Sequence, residues 1–397
     1  MFRPTPGWVS CAGDASERRK LSAASFIPDL KMTTRGRLAT VVYQMERYKY
    51  KETENTSELI NIVTQVASQQ PAVDEKTREQ QTNELLSQLQ STNTLPLWAQ
   101  MAKLNPPAPN PTCIPHIWKY DEIKPYLLRA GELITEKQAE RRVLMLVNPA
   151  RDAPFTTDTV YAGLQLVMPN ETAPAHRHTA FAMRFIIEGN GGFTAVHGRR
   201  IKMNRGDVIL TPTWNWHDHG KDGSGPMIWL DGLDLPNFRH FPVHFVEHYD
   251  KPRYPAEDVD TDNSPIVFPW AKMQARLDAE DGNWVTKPYL KGDGSEVSKI
   301  LGGSAERLNA GTSSPEIRET ASSVYHIVEG SGHSVIDGKT FKWKKGDTFC
   351  IPAWNKYQHF ASDESTVYLY RFDDKPMLRS LGFLRTEGVD VETLVSE

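Results

Sequence analysis

Three segments of this chain occur twice, about 140 residues apart, and this repetition narrows the folds open to it. Phe185-Ile186-Ile187-Glu188-Gly189 recurs as His326-Ile327-Val328-Glu329-Gly330, and Arg205-Gly206-Asp207-Val208-Ile209 as Lys345-Gly346-Asp347-Thr348-Phe349. Leu210-Thr211-Pro212-Thr213-Trp214-Asn215 is echoed by Ile351-Pro352-Ala353-Trp354-Asn355. Such a period suits one small β-domain plus a connector, so duplication of a barrel is the simplest account. The runs Leu164–Met168, Arg184–Ile187 and Val208–Leu210 are short, apolar and punctuated by Gly, Pro and Asn, which is strand chemistry. Gly206-Asp207 reads as a tight turn feeding one of them. The expected fold class is an all-β core of two barrels, at 136–250 and 286–390, joined by a linker at 251–285 that begins in the Asp- and Pro-rich stretch Tyr249–Asn263.

The chain ahead of the barrels has another character. The first 35 residues are expected to be a disordered extension. Arg3, Arg18, Arg19 and Lys20 there leave a targeting peptide as one reading, although Asp14, Glu17 and Asp29 intrude. Residues 36–92 are polar, with Leu59, Ile60, Ile62, Val63 and Val66 near helical spacing. The run Asn105–Pro111 is a stiff proline-rich connector expected to lead toward the first β-domain, with a short helix over Ile123–Leu133 after it. A formal charge of −4 gives no basic footprint for nucleic acid. No apolar run is long enough to span a bilayer. Cys11, Cys113 and Cys350 are odd in number and far apart, which speaks for a reducing compartment, the cytoplasm.

Chemistry concentrates in the first repeat. Pro174-Ala175-His176-Arg177-His178 and Trp214-Asn215-Trp216-His217-Asp218-His219 form two His-x-His pairs about forty residues apart. Side chains two apart on a strand project together, so each pair shares a face. Neutral imidazole is the commonest protein ligand for iron, zinc, copper and nickel, and no cysteine pair competes. In the second repeat Ile317, Glu319 and Tyr357 stand where His176, His178 and His217 stand in the first, and only His359 survives, opposite His219. One metal per chain is expected, in the first barrel.

The ordered set Pro-x-His-x-His, Gly-Asp turn and Pro-x-x-x-x-His resembles the metal motifs of the cupin superfamily. Arg184–Gly189, Trp214–Gly220, Trp229-Leu230-Asp231-Gly232-Leu233-Asp234 and Tyr370-Arg371-Phe372 extend the resemblance to the bicupin ring-cleaving dioxygenases typified by gentisate 1,2-dioxygenase. That resemblance implies two jelly-roll barrels with an N-terminal helical extension and Fe(II) held by His176, His178 and His217. Many cupins add a Glu shortly after the His-x-His pair, where this chain has Ala182 and Met183. Three neutral ligands leave the 2+ charge uncompensated, which favours an anionic chelating substrate.

The implied reaction joins gentisate (2,5-dihydroxybenzoate) to both atoms of O2, cleaving the C1–C2 bond to give maleylpyruvate. Salicylate and 1-hydroxy-2-naphthoate are the alternative substrates, and a non-catalytic ligand-binding bicupin is the alternative class. In the implied site Arg184 holds the substrate carboxylate, His219 acts as acid or base, and Asp231 meets the remote ring hydroxyl. Gln165, Gly163 and Tyr161 line the pocket. Arg141 or Arg142 adds positive charge, with Arg142 the candidate, because alternation lets only one face inward. A homotetramer is implied as well.

Overall fold

The computed structural model describes residues 74–388. The proposed extension, Cys11 and most of the polar 36–92 segment lie outside the described residues. Backbone contacts divide the chain into two units, 1–102 and 103–397. In the first, helix α1 (Glu75–Gln90) begins at Asp74, whose carboxylate accepts the Thr77 N–H at 3.0 Å, an N-cap that satisfies one orphan donor.

The second unit holds the repeat. Its strands are β1 (His116–Trp118), β2 (Arg142–Met145), β3 (Tyr161–Val167), β4 (Thr172–His178), β5 (Ala182–Glu188), β6 (Gly192–Val196), β7 (Arg199–Lys202), β8 (Val208–Thr211), β9 (His217–Lys221), β10 (Met227–Leu233), β11 (Val246–His248), β12 (Glu257–Asp258) and β13 (Val267–Phe268). The second copy continues with β14 (Trp284–Pro288), β15 (Gly302–Leu308), β16 (Ser323–Glu329), β17 (Ser331–Ile336), β18 (Lys339–Lys344), β19 (Thr348–Ile351), β20 (Tyr357–Ala361) and β21 (Val367–Asp373). The first module has sheets ordered β13-β8-β5-β10-β3-β2 and β11-β4-β9-β6-β7-β12; the second has β1-β19-β16-β21-β15-β14 and β18-β17-β20. Each module is thus a two-sheet jelly roll, as the family resemblance implies.

Alternation along the strands sorts side chains into two compartments. On β3, Ala162, Leu164 and Leu166 join Phe185, Ala305, Tyr370 and Phe372 in a core shared by the two modules, while Val167 belongs with Ile186, Ile209 and Trp229 inside the first. Phe185 stacks on Tyr370 at 4.9 Å. Gly232 is required at this seam, since a Cβ there would meet the Phe372 ring at 2.5–3.0 Å. Each large apolar side chain buried here contributes about 1.5–3 kcal/mol.

The repeat keeps its turns. Trp214 and Trp354 share a left-handed backbone (φ 62° and 63°), and each donates its N–H to a matching carbonyl, Trp214 to His178 O at the end of β4 at 2.9 Å and Trp354 to Glu319 O at 2.7 Å. The two Gly-Asp turns share a second task. Asp207 accepts the N–H of Trp270, which opens helix α3 (Trp270–Asp278), at 2.9 Å. Asp347 likewise accepts the N–H of Tyr120, which opens helix α2 (Tyr120–Leu133), at 3.1 Å. The body of α2 rests on β2 and β3, and that of α3 on β14 and β15. Each helix is therefore capped by one module and packed on the other.

This clasp changes two expectations. The proline-rich connector leads β1 into the second module, where His116 pairs with Cys350, instead of into the first. The segment after Asp250 is not a bare linker: β12 pairs with β7 and β13 with β8 before α3 begins. Cys113 and Cys350 are buried free thiols. Among the described residues no helix is long and apolar enough to cross a membrane.

Candidate active site

The first module brings His176, His178 and His217 together. Pairing of β4 with β9 sets His176 opposite His217, after a register shift between Ala173 and His176. The ring centroids lie 4.6–5.2 Å apart. Among the described residues these three form the one group of metal-ligating side chains, with ligand atoms within 4.8 Å of one another. Asp218, between the two histidines of β9, faces the other way and is held by Arg253 and the Tyr254 N–H, both at 3.1 Å.

The donor set suits a divalent ion. Nδ1 of His178 faces the Ala180 carbonyl and Nδ1 of His217 the Asn215 carbonyl, both at 2.9 Å. A carbonyl only accepts, so each Nδ1 carries the proton and Nε2 keeps its lone pair for a metal. Nε2 of His217 is buried without a partner, which a coordinated ion would resolve. His176 differs, because its Nδ1 faces the Arg141 guanidinium at 2.8 Å, a group that only donates. Burial, reinforced by Arg141 and Arg184, depresses all three imidazoles below their ordinary value, His178 to about 4, so they are neutral near pH 7.

Beside the triad lies a pocket of about 250 Å³. Arg141, Arg184, Asp231 and Gln165 supply its polar lining, and Val143, Leu233, Leu235 and Val246, with Tyr161 and His244, supply the rest. Arg184 is 3% exposed and Asp231 4%. Their Nε–Oδ1 separation is 3.1 Å, although the N–H is not aimed along it. Arg184 also bonds the Thr211 hydroxyl, and Asp231 accepts the Trp229 indole N–H at 3.1 Å. Nη1 of Arg141 and Nε2 of Gln165 have no partner. Burial, then the neighbouring Arg184, pulls the Arg141 guanidinium down to about 9. A buried and a half-buried arginine against one carboxylate leave the lining with a surplus of positive charge and unused donors, the complement of an anion.

Three sequence expectations need revision. Arg142 does not enter the pocket: both Nη atoms reach the Glu171 carboxylate at 2.7 Å, and it also donates to Ile134 O. Arg141, its neighbour, faces inward because strand alternation admits only one. His219 is fully buried behind the pocket lining, its ring 5.2 Å from Trp229 and 5.8 Å from His217, with neither nitrogen bonded. It does not line the pocket. Gly163 makes room for a protein side chain instead of a ligand ring, since a Cβ there would overlap the Tyr161 hydroxyl and lie 2.7 Å from Val143 Cγ1.

His244 and Val246 went unseen in the sequence. They reach the pocket because β11 pairs with β4, Val246 opposite His178 and His248 opposite His176. The only signal was a His-x-x-x-His spacing in Phe241–His248, which carries no metal pattern by itself. In the second module the corresponding Glu319 is tied to Lys375 at 2.8 Å and Tyr357 faces Tyr325 at 3.4 Å between hydroxyls, so the metal set is replaced by internal partners.

Comparison with known proteins agrees with this geometry. A family model described as "Cupin domain" matches residues 163–232 and 305–370. Gentisate 1,2-dioxygenase 1 of Aquipseudomonas alcaligenes is 35% identical over 347 residues, 80% of this chain and 98% of the relative. A 5-aminosalicylate 1,2-dioxygenase of a Comamonas species is 31% identical over 75% of this chain and 87% of its own. A crystal structure of salicylate 1,2-dioxygenase from Pseudoaminobacter salicylatoxidans with gentisate superimposes with a TM-score of 0.72 at 31% identity, covering 81% of this chain and 96% of that one. With the fold, the histidine triad and near-complete coverage of its relatives in agreement, the chain belongs to the gentisate 1,2-dioxygenase family of bicupin ring-cleaving dioxygenases.

Proposed function

We propose that this dioxygenase is Fe(II)-dependent and acts on gentisate, opening the ring between the carbons that bear the carboxylate and the 2-hydroxyl to give maleylpyruvate. The observation that carries this reading is a neutral three-histidine set without a carboxylate, facing a pocket lining with surplus positive charge. Bound Fe(II) would be held by His176, His178 and His217 and would supply the redox chemistry that joins ring and O2. The chain's own residues bind and orient. Arg141 and Arg184 are the groups suited to the substrate carboxylate, and Arg141 would have to release His176 Nδ1 if that nitrogen were to hold the ion. Gln165 offers a further donor. Asp231, a buried acceptor already facing Arg184, is suited to the 5-hydroxyl. The apolar lining with Tyr161 excludes water from the ring face.

Two relatives are named for 5-aminosalicylate and 1-hydroxy-2-naphthoate. They keep salicylate-type substrates as the second reading, favoured here by the apolar lining of the pocket. The deciding experiment is anaerobic loading with Fe(II) followed by O2 uptake with gentisate, salicylate and 1-hydroxy-2-naphthoate in turn. A kcat/KM highest for gentisate supports the proposal; a higher value for either alternative replaces it. No uptake with any of them overturns both.

A further inference from the structure

A second cavity of about 250 Å³ lies in the second module, at the end that corresponds to the pocket of the first. Gly302, Ser304, Arg371, Asp373 and Lys375 line it, and in the repeat they take the places of Tyr161, Gly163, Asp231, Leu233 and Leu235. The place is inherited, while the chemistry of its wall is reversed. In the first module Gly163 and Asp231 face each other across β3 and β10; in the second, Ser304 and Arg371 face each other across β15 and β21. An acceptor has been exchanged for two donors.

Those donors are unspent. Ser304 is 4% exposed and Arg371 9%, and neither Ser304 Oγ nor Arg371 Nε has a hydrogen-bond partner. The remaining Arg371 nitrogens reach Asp373 at 3.0 Å, Tyr325 Oη at 3.4 Å and Glu306 at 3.6 Å, which fixes the guanidinium in place. Glu306 and Glu319 behind it have partners of their own in the Trp284 indole at 2.9 Å and Lys375 at 2.8 Å. Unpaired buried donors are destabilising, so an adjacent pair on a cavity wall marks a place for acceptor oxygens. At the rim Arg379 is paired with Glu296 and Lys375 with Glu319, so the rim is balanced in charge, while Pro288, Val297 and Pro376 add apolar lining.

We propose that this cavity binds a small carboxylic acid, its carboxylate on the Ser304 hydroxyl and the Arg371 Nε–H and its apolar body against Pro288, Val297 and Pro376. The site needs no metal and is separate from the ring-cleaving centre. A carboxylate brings two oxygens to two adjacent donors, and the volume suits a molecule the size of a benzoate.

The test uses benzoate, which lacks the 2-hydroxyl, and isothermal titration of the full-length, metal-loaded protein under anaerobic conditions. Two equivalents per chain are expected for the wild type, one for each module. Ser304→Leu, which fills the second cavity, should remove one equivalent and leave kcat of the ring-cleaving reaction within about twofold. Arg379→Ala, at the exposed rim, should weaken the second equivalent about threefold and spare the first. No binding in the wild type, or a single equivalent that Ser304→Leu retains, overturns the proposal. So does retention of both in Ser304→Leu. If Ser304→Leu does not fold, an Arg379→Ala titration identical to wild type overturns it.

Discussion

The two modules share a backbone and differ in what they enclose. Both keep the left-handed Trp in the turn, the Gly-Asp corner and the paired strands, yet one gathers three neutral histidines and the other an ion-paired arginine beside a pair of tyrosines. The jelly roll is thus specified by turns and by the shared apolar core, and the metal set is an optional content of its interior. Fold and chemistry are written in different residues, so either can change without the other.

The largest expected effect breaks the comparison on its chemical side. His176→Ala should lower kcat/KM by about a thousandfold or more and abolish stoichiometric metal binding. Ile317→Ala, at the matching position, should leave both within about twofold. Metal analysis with O2 uptake checks the pair, and equal losses would mean that the second module takes part in the chemistry.

Next come two matching buried carboxylates. Asp234 accepts the Phe181 N–H at 3.0 Å and Asp374 the Ser322 N–H at 2.9 Å. Burial pushes the first up to about 6 and the second, which is fully enclosed, up to about 7. A folded-state value above the unfolded one makes the contribution full below about pH 4 and lost as pH rises through 7, by up to about 4 kcal/mol for Asp374. Asp374→Asn should therefore be more stable than wild type at pH 8 and gain nothing at pH 4, with Asp234→Asn showing the same slope over a narrower window. Denaturant midpoints across that range decide it.

A third pair separates pocket from scaffold. Arg141→Met should raise KM about 10- to 100-fold with little change in stability, because it removes a charge-assisted partner of the substrate. Arg142→Met should leave KM unchanged and cost about 2–4 kcal/mol, through loss of the buried pair with Glu171. The reverse pattern would exchange the two assignments. Smallest are the two turns: Asp207→Ala and Asp347→Ala should each cost about 1–2 kcal/mol, in one unfolding transition and not two.

Much of this was legible because it is local. Repeated turns announce a duplicated β-fold, and ligands two apart on a strand announce themselves wherever the strand lies. What stayed hidden depends on phase or on distant pairing. Arg141 and Arg142 differ by one position, and the left-handed Glu140 just before them (φ 52°) interrupts the local backbone pattern that a sequence reading extrapolates. His219 obeys the alternation that places His217, but depth along the strand decides which of them meets open space. His244 and Val246 enter the pocket through β11, and β1 crosses to the far module, over separations at which no side-chain pattern is shared.

The crossed helices carry a consequence for how such a chain tolerates change. Cutting between the modules would leave α2 without the turn that caps its first residue and would leave the Gly-Asp turn of the catalytic half without α3. Neither half is a separable part, so the half without metal persists as the other's missing wall. Its interior is open to drift toward new cargo, and its seam is not.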